Sequence, residues 1–234
     1  MKVKLLMLSI LLAGIFMAGT VQAEEQDRDV SSFSAISLRI PGKLYLKQGN
    51  TQSLRIEAKE SVIEEIITEV SGNKLTIRFP NTSVFKRNFN PGKIEIYITV
   101  PDINELSVSG SGDIISDELD ARILDLSVSG SGNITIDELT SKKGKGSISG
   151  SGNIHLEGDE VADELSFSIS GSGNCNAVGF EAENVTVNTS GSGNCNVMSN
   201  GSIRARIAGS GSVYYKGNAS IDASVAGSGR VRQL

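Results

Sequence analysis

Leu106-Ser107-Val108-Ser109-Gly110-Ser111-Gly112-Asp113-Ile114 decides the fold, because the chain keeps returning to it. Gly-Ser-Gly begins again at Gly130, Gly150, Gly171, Gly191, Gly209 and Gly227, at spacings of 20, 20, 21, 20, 18 and 18 after Gly110. Two residues before each first glycine stand Val108, Val128, Ile148, Ile169, Thr189, Ile207 and Val225. Four residues after it stand Ile114, Ile134, Ile154, Cys175, Cys195, Val213 and Val231. Small polar residues alternate with these, which is the period-two pattern of a half-buried strand. A unit this short cannot bury its own apolar face, so successive units must share one core.

Each unit reads as strand, Gly-Ser-Gly bend, strand and a variable return segment. Parallel stacking explains why equivalent residues recur: at a rise of ~4.8 Å per coil, like must pack on like. Evenly spaced antiparallel hairpins, as in a β-sandwich, impose no such identity. The expected fold is all-β: a parallel, right-handed β-helix or solenoid of about seven short coils, preceded by a β-rich N-terminal capping region. Glycine suits the bend because it tolerates positive φ. The residue after the second glycine is Asp113, Asn133, Asn153, Asn174, Asn194, Ser212 or Arg230. Asp and Asn also accept left-handed backbone, and the Asn run is expected to form an amide ladder.

Three regions follow. Residues 1–23 read as a secretory signal peptide: Lys2 and Lys4, an apolar run from Leu5 to Met17, then Val21-Gln22-Ala23 ahead of Glu24. The run of ~13 residues is short of the ~20 that span a bilayer. No transmembrane segment is expected in the mature chain. Residues 24–105 form the capping region, and residues 106–234 the solenoid. Pro41-Gly42 reads as a turn between alternating stretches. Ser61 to Val70 reads as a short helix, with Ser61 as cap and Glu64 three positions on. Asn81 to Pro91 reads as a loop.

Val100-Pro101-Asp102-Ile103-Asn104-Glu105 leading into Leu106 to Ile114 resembles the bacterial family called putative auto-transporter adhesin, head GIN domain. The resemblance spans roughly residues 30–230. It implies a β-helical protein exported by Bacteroidetes-like Gram-negative bacteria, and it offers no catalytic motif to carry over. No transporter barrel follows the repeat up to Leu234, so export is expected to use the N-terminal segment, to the periplasm or the cell surface.

Composition narrows the function. Taking Lys2 and Lys4 from 22 basic residues leaves 20 against 27 acidic ones, a formal charge of −7 for residues 24–234. That argues against nucleic acid as a partner. His155 is the only histidine. It lies between inward Ile154 and Leu156, so it should face solvent, and a lone histidine lacks the partners of a zinc site or a nucleophile. Glu64-Glu65, Asp117-Glu118 and Asp163-Glu164 are the acidic pairs nearest to a glycosidase's needs. Calcium-binding nonapeptide repeats, phosphate loops and six-residue acyltransferase coils do not match the pattern. No catalytic, metal-binding or cofactor-binding residue is assigned, no cofactor is expected, and the ligand-binding residues stay open.

Three functions remain: an adhesion module for a surface glycan or protein, a structural or regulatory envelope protein with a protein partner, and a glycan-cleaving β-helix, of which the first is favoured. Cys175 and Cys195 fall in one inward column. Their side chains should run parallel, with Cβ atoms too far apart for a preferred disulfide, so two buried thiols are expected, at small cost to replace with Val. Arg204, Arg206, Lys216, Arg230 and Arg232 against Asp222 make the last coil basic. Such charge should discourage tight self-stacking at its open edge, leaving a monomer or weak dimer.

Overall fold

A computed structural model describes residues 24–80 and 91–234. The expected signal peptide, residues 1–23, and most of the expected loop, residues 81–90, lie outside the described residues.

One coil shows how the repeat becomes structure. Ile123–Gly130 is a strand, Gly130 to Gly132 turns the corner, and Asn133–Ile136 is the next strand. A two-residue strand, Leu139–Thr140, begins the return to Lys143–Gly150. The coil thus has a first wall, a second wall and a short third one. Along the first wall Val128 pairs in parallel register with Val108 and Ile148, and along the second Ile134 pairs with Ile114 and Ile154. These residues are at most 1% exposed. The apolar columns anticipated from the repeat are therefore the core of a parallel β-solenoid. Its seven bends bound about six turns.

The bend works through two different constraints. The first glycine of each Gly-Ser-Gly has a positive φ, from 114° at Gly110 to 135° at Gly227, where a side chain would be strained. The second glycine is held by proximity. A Cβ on Gly132 would lie 2.0 Å from the carbonyl oxygen of Gly112 in the coil before. The bend amides also reach across coils: Ser131 N–H and Gly132 N–H both donate to the Gly110 carbonyl, at 2.8 and 3.0 Å. The same pair of bonds recurs from Ser151 and Gly152 to Gly130.

The asparagines do not use left-handed backbone, since no described residue other than glycine has a positive φ. Their side chains form the expected ladder instead. Asn133 Nδ2 donates to Asp113 Oδ1 at 2.7 Å, Asn153 to Asn133 at 2.8 Å, Asn174 to Asn153 at 3.2 Å and Asn194 to Asn174 at 3.3 Å.

Core volume is shared between coils. Gly144 and Gly146 stand where the preceding coil has Leu124 and Leu126. The space is taken from the following coil by Leu165 and Phe167, and a Cβ on Gly146 would come within 2.5 Å of the Phe167 ring.

The stack continues into the N-terminal region. Ala35–Leu38 lies in parallel register between Lys74–Arg78 and Glu105–Gly110. Lys43–Gln48 lies between Glu95–Val100 and Asp113–Ser116. Pro41-Gly42 occupies the corner that Ser111-Gly112 occupies one coil on. Antiparallel strands then close this end: Ser53–Ala58 on Glu95–Val100, Glu24–Asp27 on Ser53–Ala58, and Ile67–Ser71 on Lys74–Arg78. The helix is shorter than the sequence suggests, Glu60–Ile63, with Lys59 at its N-cap and no side-chain cap bond. The residues after it, Ile67-Thr68 and Val70, favour a strand through their β-branched side chains, and pairing with Lys74–Arg78 decides the matter. Val62, Ile63 and Ile66 are buried and seal the core.

Cys175 and Cys195 form a disulfide, contrary to the expectation of free thiols. Their Cα atoms are 4.7 Å apart, within the range that a disulfide spans. The two sulfurs turn toward each other along the column instead of running parallel, and both residues are at most 1% exposed.

Two outcomes follow for stability. Gly152→Ala places a Cβ 2.1 Å from the Gly132 carbonyl oxygen and should cost about 1–3 kcal/mol or more. Ser151→Ala, on the exposed tip of the same bend, should stay within about 0.5 kcal/mol. Urea unfolding of both variants checks this, and equal midpoints would contradict the close-approach argument. Replacing both Cys175 and Cys195 by Val should lower stability by about 3 kcal/mol, the value for closing a loop of this length. An unfolding midpoint that does not respond to reductant would exclude the bond.

Candidate binding surface

Two outward columns of the first wall are mostly serine, while the next runs Glu105, Asp125, Lys145, Ser166, Thr186, Arg204 and Asp222. One column runs Ser107, Ser127, Ser147, Ser168, then Asn188, Arg206 and Ser224. A second runs Ser109, Ser129, Ser149, Ser170 and Ser190, then Ala208 and Ala226. Serine is small enough to stack on its own copy ~4.8 Å away, though larger residues such as Asn188 and Arg206 also stand in these columns. Ser107 Oγ donates to the Ile36 carbonyl at 3.2 Å. Among the described residues, the hydroxyls of Ser109, Ser129, Ser149, Ser170 and Ser190 have no hydrogen-bond partner in the protein.

The second wall contrasts with this. Its Asn ladder spends its polar groups on itself. The next outward column holds Tyr97, Tyr45, Ile115, Thr135, His155, Asn176 and Asn196. The Tyr45 and Tyr97 rings stack at 5.2 Å, and Arg55 lies 5.7 Å from the Tyr97 centroid. Burial and then the neighbouring Glu95 raise the Tyr97 hydroxyl above its usual pKa. Both faces of Tyr97 are thereby covered, whereas Tyr214, which follows Asn196 in this column, is half-buried and stacks on no other ring among the described residues. The sequence hid this pairing because Tyr45 and Tyr97 become neighbours only through the register of the N-terminal coils. His155 stands in this column, its side chain 32% exposed, with Nε2 3.0 Å from Glu157 Oε1 and Nδ1 3.1 Å from the Asn176 amide nitrogen.

The acidic pairs are scattered. Glu64 and Glu65 follow the helix, Asp117 and Glu118 sit at an exposed turn, and Glu164 is bonded to Lys143 at 2.9 Å. Among the described residues no three of His, Cys, Asp and Glu group as metal ligands.

The concavities are shallow. A groove of 720 Å³ lies at the corner beside Gln48, Pro101, Asp120 and Ile123. It is partly filled by the Gln48 amide, which accepts from Asp120 N–H at 2.6 Å and donates to the Asp120 carbonyl at 2.8 Å. That amide stands in for a neighbouring strand at the edge of the third wall. Two hollows of 320 and 330 Å³ lie on the first wall, one beside Ser170, Asn188 and Arg206, the other beside Thr186, Arg204 and Asp222. Arg206 Nη2 and Arg204 Nε meet Asp222 Oδ2 at 2.9 and 3.2 Å. Hydrogen bonds from Arg206 and then Arg204 hold the Asp222 carboxyl below the usual carboxylate range.

Over residues 32–219 the chain matches the protein family described as putative auto-transporter adhesin, head GIN domain. It is similar to the crystal structure of a putative adhesin from Bacteroides fragilis NCTC 9343, at 28% identity and a TM-score of 0.85, with 92% of this chain and 98% of that one covered. A putative lipid binding protein from Parabacteroides distasonis ATCC 8503 shares the fold at 22% identity and TM-score 0.74, covering 91% and 97%. So does a putative adhesin from Parabacteroides merdae ATCC 43184, at 22% identity and TM-score 0.68, covering 91% and 96%. No curated protein matches the chain.

Because the folded pKa of Asp222 is depressed, its contribution to stability is in place above the unfolded Asp value of about 3.9 and is lost as pH falls through the lowered folded value. An NMR titration of the Asp222 carboxyl should show a midpoint below the ordinary one, and Arg206→Ala should move it back up. An unchanged midpoint in that variant would remove Arg206 as the cause.

Proposed function

The chain belongs to the family of putative auto-transporter adhesins with a head GIN domain, and from that premise we propose that it is an exported binding module of the cell envelope or surface, without catalytic activity. Residues 1–23 serve as a cleaved export signal, and the mature chain works in the periplasm or at the cell surface. The Cys175–Cys195 disulfide fits an oxidising compartment outside the cytoplasm.

The binding surface in this reading is the first wall, and its ligand is an extended, hydroxyl-rich polymer such as a surface glycan. The observation that supports it is the column of serine hydroxyls, Ser109 to Ser190, that no protein group engages. Each hydroxyl both donates and accepts, as sugar hydroxyls do. The rigid sheet holds them in line, so little side-chain entropy is lost when a ligand aligns with them.

A glycan array probed with the purified protein should give saturable binding to extended polysaccharides. Replacing Ser149 and Ser170 by Glu should weaken it about tenfold or more, since two hydrogen bonds at about 0.5–1.5 kcal/mol each are lost. Thr135→Glu on the second wall should leave binding unchanged. A blank array, or equal losses on both walls, would count against the first wall and favour a protein partner.

A further inference from the structure

The two ends of the solenoid differ. The N-terminal end is sealed by antiparallel strands and by Val62, Ile63 and Ile66. At the other end the strand Ser220–Gly227 is paired on one side only, with Ser202–Gly209. Ile221 and Val225 continue the columns of Ile203 and Ile207, which are 1% and 3% exposed, yet are themselves 38% and 41% exposed. Ala223 lies between them, in the column of fully buried Ala205. The strand therefore offers a free hydrogen-bonding edge backed by uncovered core, a combination that invites another strand.

The strand is complementary to itself. In an antiparallel pair about a twofold axis through Ala223, Ile221 stands opposite Val225 of a second copy, and the two Ala223 residues face each other. β-Branched residues then meet across the inner face. On the outer face Asp222 meets Ser224 of the second copy, a carboxylate opposite a hydroxyl donor, so no like charges oppose. A shift of one residue would turn Ile221 toward the outer face, so the core fixes this register.

The charge at this end is smaller than the sequence implies. Arg204 and Arg206 are both engaged by Asp222, while Lys216, Arg230 and Arg232 belong to the second wall or the bend leading into it, not to this strand. We infer that two copies of the chain dock tail to tail through Ser220–Gly227, antiparallel about Ala223. Because a twofold contact uses the same edge on both copies, association stops at two. A pair of single strands covers less than the ~800 Å² per partner of a standard interface, so the dimer is weak, with a Kd on the order of tens of micromolar.

Sedimentation of the purified protein from about 1 to 500 μM should fit a monomer–dimer equilibrium. Val225→Asp should remove the dimer while leaving the β circular dichroism intact. Ala223→Cys should form an intermolecular disulfide on air oxidation, because antiparallel partners lie about 4.5–5.5 Å apart at Cα. Ala226→Cys should not, since its two copies would be about 20 Å apart. The cross-link reads out the geometry even where Val225→Asp disturbs folding. A monomer throughout, open-ended oligomers, or equal cross-linking of the two cysteine variants would each overturn the inference.

Discussion

The whole structure depends on how closely one Gly-Ser-Gly bend lies on the next. The Gly110 carbonyl receives two N–H groups from the coil above it, and the second glycine of that coil passes so near the Gly112 carbonyl that no Cβ fits. This contact locks each corner to its copy, and everything else in the coil inherits the register. Val128 must meet Val108, and Ser127 must meet Ser107, because Gly130 already sits on Gly110. A side chain at the corner would not simply cost one local contact. It would push apart the two coils whose strands share an unbroken ladder.

That register sorts the surface into rows with different duties. The Asn row from Asn133 to Asn194 is consumed by bonding to itself, which ties the second wall together where it leaves the corner. The Tyr45–Tyr97–Arg55 stack is likewise used within the N-terminal coils. The serine row from Ser109 to Ser190 has no such structural employment. A serine is small enough to stack on serine, and alanine would stack as well, so stacking alone does not call for a hydroxyl at five successive coils. The hydroxyls are what the fold leaves over, and this is why the proposed binding role belongs to the first wall.

The solenoid was legible from Leu106 onward because parallel stacking writes its period into the chain. The N-terminal coils were not. Their corner is Pro41-Gly42 in one case, and no Gly-Ser-Gly occurs in the sequence between Arg78 and Glu95 in the other. They are also out of chain order, since Ala35–Leu38 sits between Lys74–Arg78 and Glu105–Gly110. Alternation on either side of Pro41-Gly42 points to strands but not to their neighbours. The disulfide was misread for a different reason. Column and spacing were right, but side-chain direction within a column is a local choice that the repeat does not encode. The Gly146–Phe167 exchange of volume is visible in sequence only after the coils are aligned, as a lost leucine on one line and a gained phenylalanine on the next.

A surface of this kind suits some ligands better than others. The hollows on the first wall are shallow, and a small molecule lying in either would keep much of its surface in water. Each serine contributes at best about 0.5–1.5 kcal/mol net, so one or two contacts give little affinity. A polymer that follows the column changes the balance. After the first contact, each further one is made by a neighbouring unit already held nearby, and the sheet needs no rearrangement to receive it. The same rigidity that the bend glycines impose for folding therefore makes a row of individually weak groups useful together, but only to a ligand long enough to span several coils.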